Sequence, residues 1–325
     1  MPLRVLVLLT IALPLCSCQP TPAPAPPPTT FYHWQTRLAP DSVARSLLTT
    51  HGSDRLYVKV FDVSWTAGRA EPTALIEPQD TAGLPPLVPV VFITNEVFWQ
   101  TPAQDLKALA EQILGLTEEL LGSRFPEFQI DCDWTAGTRA HFFVFLAALR
   151  QQLAGRRLSC TVRLHQYRDR AVQGVPPVDR GVLMAYNTGN LNDWATENSI
   201  VDTNVVKTYL AGTEPYPLPL DLAVAAYDWA AVYRRDRLAY LLNEPDLTEL
   251  ADTARFAPLD GAGLRYAVRR GTYLGGLYLY ADDLIRREVA PPAAVPAQLR
   301  LLHRYLPPTA DQRTIIYRLN SRLWR

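Results

Sequence analysis

The chain has 325 residues, of which 48% are hydrophobic, and its 32 Lys and Arg residues balance 32 Asp and Glu residues. This length and apolar content predict a large buried core, arranged as one large domain or two small ones. The balanced charge, without a cluster of Lys and Arg, lacks the electrostatic footprint on which nucleic-acid binding depends. We therefore expect a globular protein that does not bind nucleic acid.

The first 18 residues have the pattern of an export signal. Arg4 precedes an apolar run at 5–13, which is too short to cross a bilayer as a mature helix. The segment Leu-Cys-Ser-Cys at 15–18 resembles the lipobox of bacterial lipoproteins. This resemblance implies that Cys18 is acylated and becomes the mature N-terminus. The alternative is an ordinary signal that is cleaved near Cys18 without lipidation.

A proline-rich stretch at 19–30 follows the export signal. Its prolines favour an extended polyproline conformation and forbid a helix, so the stretch predicts a stiff spacer. Residues 31–325 would then form the folded domain. With Cys18 lipidated, we expect this domain at the bacterial cell envelope, facing the periplasm or the cell surface and anchored to a membrane, with the outer membrane favoured.

Short apolar runs alternate with longer helical patterns after residue 31, which indicates repeated β–α units and a parallel sheet. Eight such runs predict an α/β fold, the (β/α)8 TIM-type barrel. The predicted strands are 31–34, 56–63, 88–93, 128–133, 158–164, 181–186, 222–227 and 276–280. The predicted helices are 41–50, 102–121, 138–153, 198–210 and 295–305.

Two connections between the predicted strands are irregular. Residues 65–84 are rich in Gly, Pro and Thr, so the helix of this unit is expected to be short or absent. Residues 228–273 are ambiguous, because the segment 232–240 has the pattern of an inserted hairpin as much as that of a helix.

The run at 127–135, Glu-Phe-Gln-Ile-Asp-Cys-Asp-Trp-Thr, carries two carboxylates two residues apart. In a strand of period two, Gln129, Asp131 and Asp133 share one face, and apolar side chains share the other. This pattern favours a barrel strand whose acidic face opens into an active site, where scarce water would raise one carboxyl pKa. An edge strand with both carboxylates in solvent is the alternative.

The predicted strands end in polar and aromatic residues, and such ends hold the active site in this kind of barrel. Carboxylates mixed with Trp and Tyr side chains are suited to sugars, whose hydroxyls accept hydrogen bonds and whose C–H faces stack on aromatic rings. A barrel mouth simply plugged by tryptophans is the alternative. The candidate substrate-binding residues are His33, Asp62, Asn95, Trp134, Arg163, Gln166, Tyr186, Asn187 and Trp229.

The sequence contains no His-x-x-x-His or Cys-x-x-Cys spacing, calcium loop, phosphate loop or dinucleotide fingerprint. We therefore predict neither a metal nor a cofactor. In the folded domain, Cys132 and Cys160 are expected to be small buried hydrophobes. A disulfide between them is left open.

The strand-four run resembles the signature of family-18 glycoside hydrolases, the chitinases and their relatives, which reads Asp-Gly-x-Asp-x-Asp-x-Glu. Asp131 and Asp133 match its second and third acids, and Met-Ala-Tyr-Asn at 184–187 resembles the Met-x-Tyr-Asp segment of strand six. In that family the final glutamate is the general acid, and the neighbouring aspartate orients the N-acetyl group. Here Thr135 occupies the glutamate position, and a threonine cannot protonate a leaving oxygen near neutral pH.

The chain also resembles, over nearly all of the predicted mature part, an uncharacterised group of bacterial envelope lipoproteins. The shared segments are Gln-Ile-Asp-x-Asp on strand four, Ile-Thr-Asn-Glu at 93–96 and Arg-Leu-His-Gln-Tyr at 163–167. Two functions are therefore expected for the strand ends. One is a sugar-cleaving enzyme with catalytic residues among Asp133, Asp131, Glu96 and His165. The other is an inactive barrel that binds a glycan or scaffolds a complex. A purely structural envelope protein without a ligand is the remaining alternative.

Overall fold

The computed structural model of the protein describes residues 27–309 and 311–325. Within this part of the chain, eight parallel strands close into a barrel, because the first strand pairs with both the second and the eighth. The predicted (β/α)8 barrel is confirmed. In chain order, the barrel strands are β1 (Thr29–His33), β2 (Leu56–Thr66), β3 (Leu87–Ile93), β4 (Glu127–Asp131), β5 (Arg157–Arg163), β6 (Arg180–Met184), β7 (Leu220–Ala225) and β8 (Thr314–Tyr317).

Helices surround the barrel and bury one face against it. Asp41 begins the first helix as predicted, since its Oδ1 accepts a hydrogen bond 2.9 Å long from the backbone N–H of Ala44. In the fourth helix a stripe of apolar side chains at helical spacing is fully buried. The helices are α1 (Ser42–Thr50), α2 (Asn95–Gln100), α3 (Leu106–Leu121), α4 (Arg139–Gln152), α5 (Leu164–Arg168), α6 (Arg170–Gln173), α7 (Thr203–Leu210) and α8 (Val295–His303).

The connection from β2 to β3 carries strands in place of a helix, as its Gly- and Pro-rich composition predicted. The strand Arg69–Thr73 pairs antiparallel with the end of β2. A second short strand, Glu77–Pro78, pairs with Arg37–Leu38. The first of these strands extends the barrel sheet beside the end of β2, whereas the second belongs to a separate two-stranded sheet.

Residues 227–290 form an insert between β7 and α8. Its five-stranded antiparallel sheet confirms the hairpin over the helix at 232–240, because Tyr227–Arg234 pairs directly with Arg237–Asn243. From one edge of this sheet to the other, the strands are Arg237–Asn243, Tyr227–Arg234, Leu284–Ala290, Arg265–Val268 and Phe256–Pro258. The insert is joined to the loop after β6, where the carboxylate of Glu288 accepts a hydrogen bond 2.6 Å long from the hydroxyl of Ser199.

The prediction of the eighth barrel strand at 276–280 was wrong. Leu277–Leu279 instead pairs with Thr272–Leu274 in a hairpin of the insert. Gly275 and Gly276, with φ of +54° and +81°, make the tight turn that such a hairpin needs. The barrel is closed by β8, a run of only four residues, whose sequence signal is about as short as that of the three-residue strands in the hairpin.

Other strand ends also differ from the prediction. β4 ends at Asp131, so Asp133 lies beyond the strand and does not share its pleat. β1 begins at Thr29, so the last two residues of the predicted spacer belong to the barrel. The predicted signal peptide, the lipidation site Cys18 and spacer residues 19–26 lie outside the described residues. None of the helices that the structure describes is long and apolar enough to cross a membrane.

Cys132 and Cys160 are both buried free thiols. They belong to the apolar cluster between the barrel and its helices. This position agrees with the expectation of two small buried hydrophobes, and the possible disulfide is not formed.

Candidate functional site

Three residues of β4 at period two, Glu127, Gln129 and Asp131, are buried and accept hydrogen bonds from side chains of other barrel strands. Glu127 is paired with Arg55 at 2.9 Å. Gln129 accepts a hydrogen bond of 2.6 Å from the hydroxyl of Tyr32. The side chains that β4 turns into the barrel are therefore polar and hydrogen-bonded to their neighbours in the interior. Of these three residues, Asp131 lies closest to the C-terminal end of the strand.

Asp131, the last residue of β4, lies at the mouth of the barrel. Its Oδ1 accepts a hydrogen bond of 2.6 Å from the hydroxyl of Thr161. Burial raises its pKa from the ordinary 3.8 to about 6; Arg163 opposes this rise and Asp133 adds to it. A carboxyl with a pKa near 6 is protonated in a larger fraction near neutral pH than an ordinary aspartate is.

Arg163 is held by Asp133 at the rim of the site. Its Nη2 donates to the Asp133 carboxylate at 3.0 Å, and its Nε donates to the other carboxylate oxygen. Burial works against the charge of Arg163, but Asp133 and Asp131 outweigh this effect and raise the Arg163 pKa. The guanidinium is thus a permanent cation, while the side chain of Asp133 is 49% exposed.

A cavity of about 260 Å³ opens above Asp131 at the C-terminal ends of the strands. Tyr186 and Tyr317 stack in its wall with ring centroids 5.3 Å apart, and Trp34 meets Tyr317 edge-on at 5.7 Å. The cavity joins these flat aromatic rings to carboxylate, guanidinium and amide groups. The lining residues are Trp34, Asp62, Phe92, Asp131, Arg163, Met184, Tyr186, Asn187 and Tyr317.

A β-bulge brings Asp62 into the cavity. The register of β2 against β3 shifts between Lys59 and Phe61, which inserts one residue and changes the side that the following residues face. Asp62 then pairs with Lys59 at 2.9 Å, and the Lys59 ammonium lies 5.8 Å from the ring centroid of Trp34. Without the bulge, strict alternation after Lys59 would turn Asp62 away from the barrel interior.

Asn187 is fixed at the mouth by the insert. Its backbone has the left-handed φ of +54°, which Asn tolerates better than most residues. The hydroxyl of Tyr227, the first residue of the insert sheet, donates a hydrogen bond to its side-chain oxygen. The insert therefore contributes directly to the shape of the candidate site.

A smaller cavity of about 100 Å³ adjoins the first, and the two share Arg163, Met184, Tyr186 and Asn187 in their linings. His165 lines this second cavity. Burial lowers the pKa of His165 below its ordinary value, so the imidazole is neutral at physiological pH.

The structure brings several of the predicted site residues together. Asp62, Asp131, Arg163, Tyr186 and Asn187 line the main cavity, His165 lies beside it, and Asp133 stands at its rim. Their catalytic or binding roles remain predictions.

Three predicted substrate-binding residues are corrected because their side chains are buried in other contacts. The ring of Trp134 stacks on Phe142 of α4 in the outer core, and its Nε1 donates to the carbonyl of Gln173. The side chain of Gln166 is hydrogen-bonded to the backbone, since its Nε2 donates to the carbonyl of Trp134. His33 follows the inward Tyr32 on β1, so it faces outward, and its ring nitrogen contacts the carbonyl of Arg37.

The three other predicted residues also lie outside the main cavity. Glu96 is exposed on α2, and Asn95 accepts a hydrogen bond from the hydroxyl of Thr138 at the start of α4. Trp229 is buried in the insert, with its ring edge-on to Tyr227 at 5.5 Å. Glu96 is therefore not positioned across the cavity from Asp131, as a second catalytic carboxylate would need to be.

Trp34, Phe92, Met184 and Tyr317 line the cavity but were not among the predicted binding residues. Tyr317 was missed because the eighth strand was assigned to the hairpin of the insert. The signal that identifies it is the β-branched run Thr-Ile-Ile-Tyr at 314–317. Within residues 27–309 and 311–325, no group of three or more His, Cys, Asp or Glu side chains is arranged to hold a metal ion.

Comparison with solved structures places the chain among barrel proteins. The spore cortex-lytic enzyme SleL of Bacillus cereus superposes with a TM-score of 0.52 and 14% identity, over 93% of this chain and 74% of that one. A chitinase from Chromobacterium violaceum gives a TM-score of 0.49 and 13% identity, over 91% and 96% of the two chains. At such identities the likeness shows the fold alone. No protein-family model and no curated protein sequence matches the chain.

Proposed function

We propose that this protein binds a glycan at the mouth of the barrel and is held at the bacterial envelope through a lipid on Cys18. One observation carries the first part. The stacked rings of Tyr186 and Tyr317 stand with the buried, protonatable carboxyl of Asp131 in one cavity of about 260 Å³. This volume lies just below the usual range for ligand sites, about 300–1,000 Å³, and suits a short part of a sugar chain.

The chemistry of the lining favours a sugar over other small molecules. Aromatic faces stack on the C–H surfaces of a pyranose, while Asp62, Arg163 and Asn187 offer acceptors and donors to its hydroxyls. The cations of the site are already engaged, because Arg163 is paired with Asp133 and Lys59 with Asp62. A phosphate or carboxylate ligand would have to compete with these carboxylates, whereas a neutral sugar would not.

Binding without the family-18 reaction is the function that the geometry supports best. Thr135, at the position of that family's general acid, is exposed and lies outside the cavity lining. A second candidate is sugar cleavage by a different arrangement, with Asp131 as the proton donor. The pKa of about 6 favours this candidate, because roughly half of the Asp131 carboxyl carries a proton at pH 6.

Calorimetric titration with oligomers of N-acetylglucosamine and with peptidoglycan fragments tests the proposal. We expect saturable binding that Tyr186→Ala abolishes, because the ring that supports Tyr317 in the cavity wall is lost, and that Tyr186→Phe preserves, since the phenyl ring still packs on Tyr317. Tyr305→Ala is the matched control, because Tyr305 packs on the outer core away from the cavity. Binding that survives Tyr186→Ala, or the absence of heat with every probe, contradicts a glycan site.

A reducing-end assay on the same oligomers separates the two candidates. Release of new reducing ends that Asp131→Asn eliminates would establish cleavage with Asp131 as the acid. Binding without any release of reducing ends supports the non-catalytic function.

A further inference from the structure

The insert carries a second aromatic surface, which we call the tyrosine row. It consists of Tyr240, Tyr273, Tyr278 and Tyr280, which are 44%, 61%, 42% and 55% exposed. Large aromatic side chains in solvent forgo the stabilisation that burial gives, so a cluster of four marks a surface that contacts another molecule.

The hairpin Thr272–Leu274 and Leu277–Leu279 sets the direction of the tyrosines. Its strands alternate, so Leu274 and Leu279 are fully buried in the insert core while Tyr273 and Tyr278 lie directly opposite each other on the outer face. A cross-strand aromatic pair stabilises a hairpin by itself. That effect accounts for the pair of Tyr273 and Tyr278 and does not account for the continuation of the row from Tyr278 to Tyr280 and Tyr240.

The row continues as an unbroken series of contacts. The ring centroids of Tyr273 and Tyr278 are 5.2 Å apart, and those of Tyr278 and Tyr280 are 5.1 Å apart. Next to Tyr280 lies the guanidinium of Arg234, 4.4 Å from that ring centroid and 5.8 Å from the centroid of Tyr240. The tyrosine rings meet edge to face, with interplanar angles of 70° and 90°, so the row presents ring faces and ring edges one after another.

Arg234 is held rigidly in the row by a buried carboxylate. Its Nε and Nη2 each donate to Asp283 at 2.8 Å, and the side chain of Asp283 is only 2% exposed. Because both oxygens of Asp283 are engaged with Arg234, the guanidinium plane is fixed before any ligand arrives.

A cavity of about 670 Å³ lies beside the Tyr280 end of the row, which is more than twice the volume at the barrel mouth. Exposed Arg235, Asp236 and Asp282 provide donors and acceptors around it. The full lining is Tyr233, Arg234, Arg235, Asp236, Tyr280, Ala281, Asp282, Asp283 and Leu284.

This surface is separate from the barrel cavity. The strand Tyr227–Arg234 begins at the barrel mouth, where Tyr227 contacts Asn187, and reaches the row at Arg234. Seven residues along a strand span about 23 Å at roughly 3.3 Å per residue. None of the residues lining the row's cavity lines the cavity at the barrel mouth.

We propose that the tyrosine row and its cavity form a second carbohydrate-binding surface, which takes an extended polysaccharide strand. Exposed aromatic rings placed one after another and flanked by polar side chains suit the repeating C–H faces and hydroxyls of such a strand. Tyr and Arg are also enriched in protein interfaces, but the leucines of the hairpin are turned into the insert core, so this surface lacks the contiguous apolar centre of such an interface. This surface and the barrel site are proposed to bind the same class of ligand, but each proposal is tested independently of the other.

Co-sedimentation of the protein with peptidoglycan sacculi and with colloidal chitin tests this surface. We expect Tyr273→Ala and Tyr280→Ala each to weaken binding to at least one polymer by roughly fivefold to tenfold, the usual worth of a stacked ring. Tyr280→Phe keeps the ring and should bind as the unaltered protein does. Tyr305→Ala controls for the loss of a tyrosine elsewhere, and thermal unfolding verifies that each variant is folded.

The two sites give different results in this experiment. Tyr186→Ala alters the barrel mouth and is expected to reduce binding of short oligosaccharides while leaving sedimentation with the polymer in place. Sedimentation that Tyr273→Ala and Tyr280→Ala leave unchanged overturns the proposal, and so does failure of the unaltered protein to bind either polymer. A dimer that Tyr273→Ala dissociates, with no polymer bound, would assign the row to contact between copies and overturn it equally.

Discussion

Asp131→Asn should make the protein more stable above pH 6 while weakening the proposed glycan site. Burial raises the Asp131 pKa from 3.8 to about 6, a change of about two units, or about 3 kcal/mol at 1.36 kcal/mol per unit. Between about pH 4 and pH 6 the folded protein retains a proton that the unfolded chain has lost. The free energy of unfolding therefore falls as pH rises through this window, and the penalty is complete above it.

Asparagine cannot ionise, so this penalty disappears in the variant, and its side-chain oxygen can still accept from the hydroxyl of Thr161. We expect a gain of up to about 3 kcal/mol at pH 7.5 and almost no change at pH 4. Urea unfolding at the two pH values measures the difference. Asp105→Asn, on an exposed 3-10 turn, should change stability by less than about 0.5 kcal/mol at both.

An Asp131→Asn variant that is less stable at pH 7.5 would refute this reasoning. It would mean that the attraction of Arg163 exceeds the cost of burying the charge, so that the carboxylate is ionised and structural. The pKa of Asp131 would then lie below its ordinary value, and the residue would no longer qualify as a proton donor near neutral pH.

Three further predictions concern other parts of the molecule. Asp133→Asn should lower the pKa of Asp131, because it removes a negative neighbour and frees a guanidinium; a carbon-13 titration of the carboxyl group measures the shift. Glu288→Gln should cost about 3–5 kcal/mol in urea unfolding, because it leaves the buried Arg286, now 2.6 Å from that carboxylate, without its ionic partner. Cys18→Ala should leave the protein soluble in the periplasm or unprocessed, as cell fractionation would show.

Each of these predictions has a contrary result. A raised or unchanged Asp131 titration in Asp133→Asn would show that Asp133 does not act on the buried acid. For the Glu288 pair, Lys107→Ala is the control, since Lys107 and Glu111 form an exposed pair 3.9 Å apart that should contribute at most about 1 kcal/mol. Equal losses in the two variants would contradict the role of burial. Unchanged membrane fractionation of Cys18→Ala would rule out the lipid anchor.

The barrel was predictable from sequence because its buried strands and the helices α3 and α4 have strong, regular patterns. Asp131 was identified in the same way, since period two holds within β4. The period-two pattern no longer predicts the direction of a side chain once the strand has ended. Beyond Asp131 the backbone leaves the sheet, so Asp133 pairs at the rim and Trp134 turns into the outer core.

Tertiary contacts decided the positions that the sequence pattern left open. The hairpin at 272–279 alternates like a barrel strand, and only its turn and its partner show that it lies on the surface of the insert. Asp62 depends on a bulge in β2 that has no distinctive residue of its own. Gln166 looks like a ligand-binding amide in sequence, but the backbone around Trp134 and Arg163 uses both of its polar atoms.

The two buried acids of β4 differ in how completely their charges are compensated. Glu127 has a cation of its own, because Arg55 pairs with it at 2.9 Å, and Ser159 and Tyr57 donate further hydrogen bonds. Asp131 has one hydroxyl donor, and Arg163, the cation that opposes the rise of its pKa, already binds Asp133. A buried carboxyl with incomplete compensation lowers stability, so its retention at the mouth of a cavity is better explained by a ligand than by the fold.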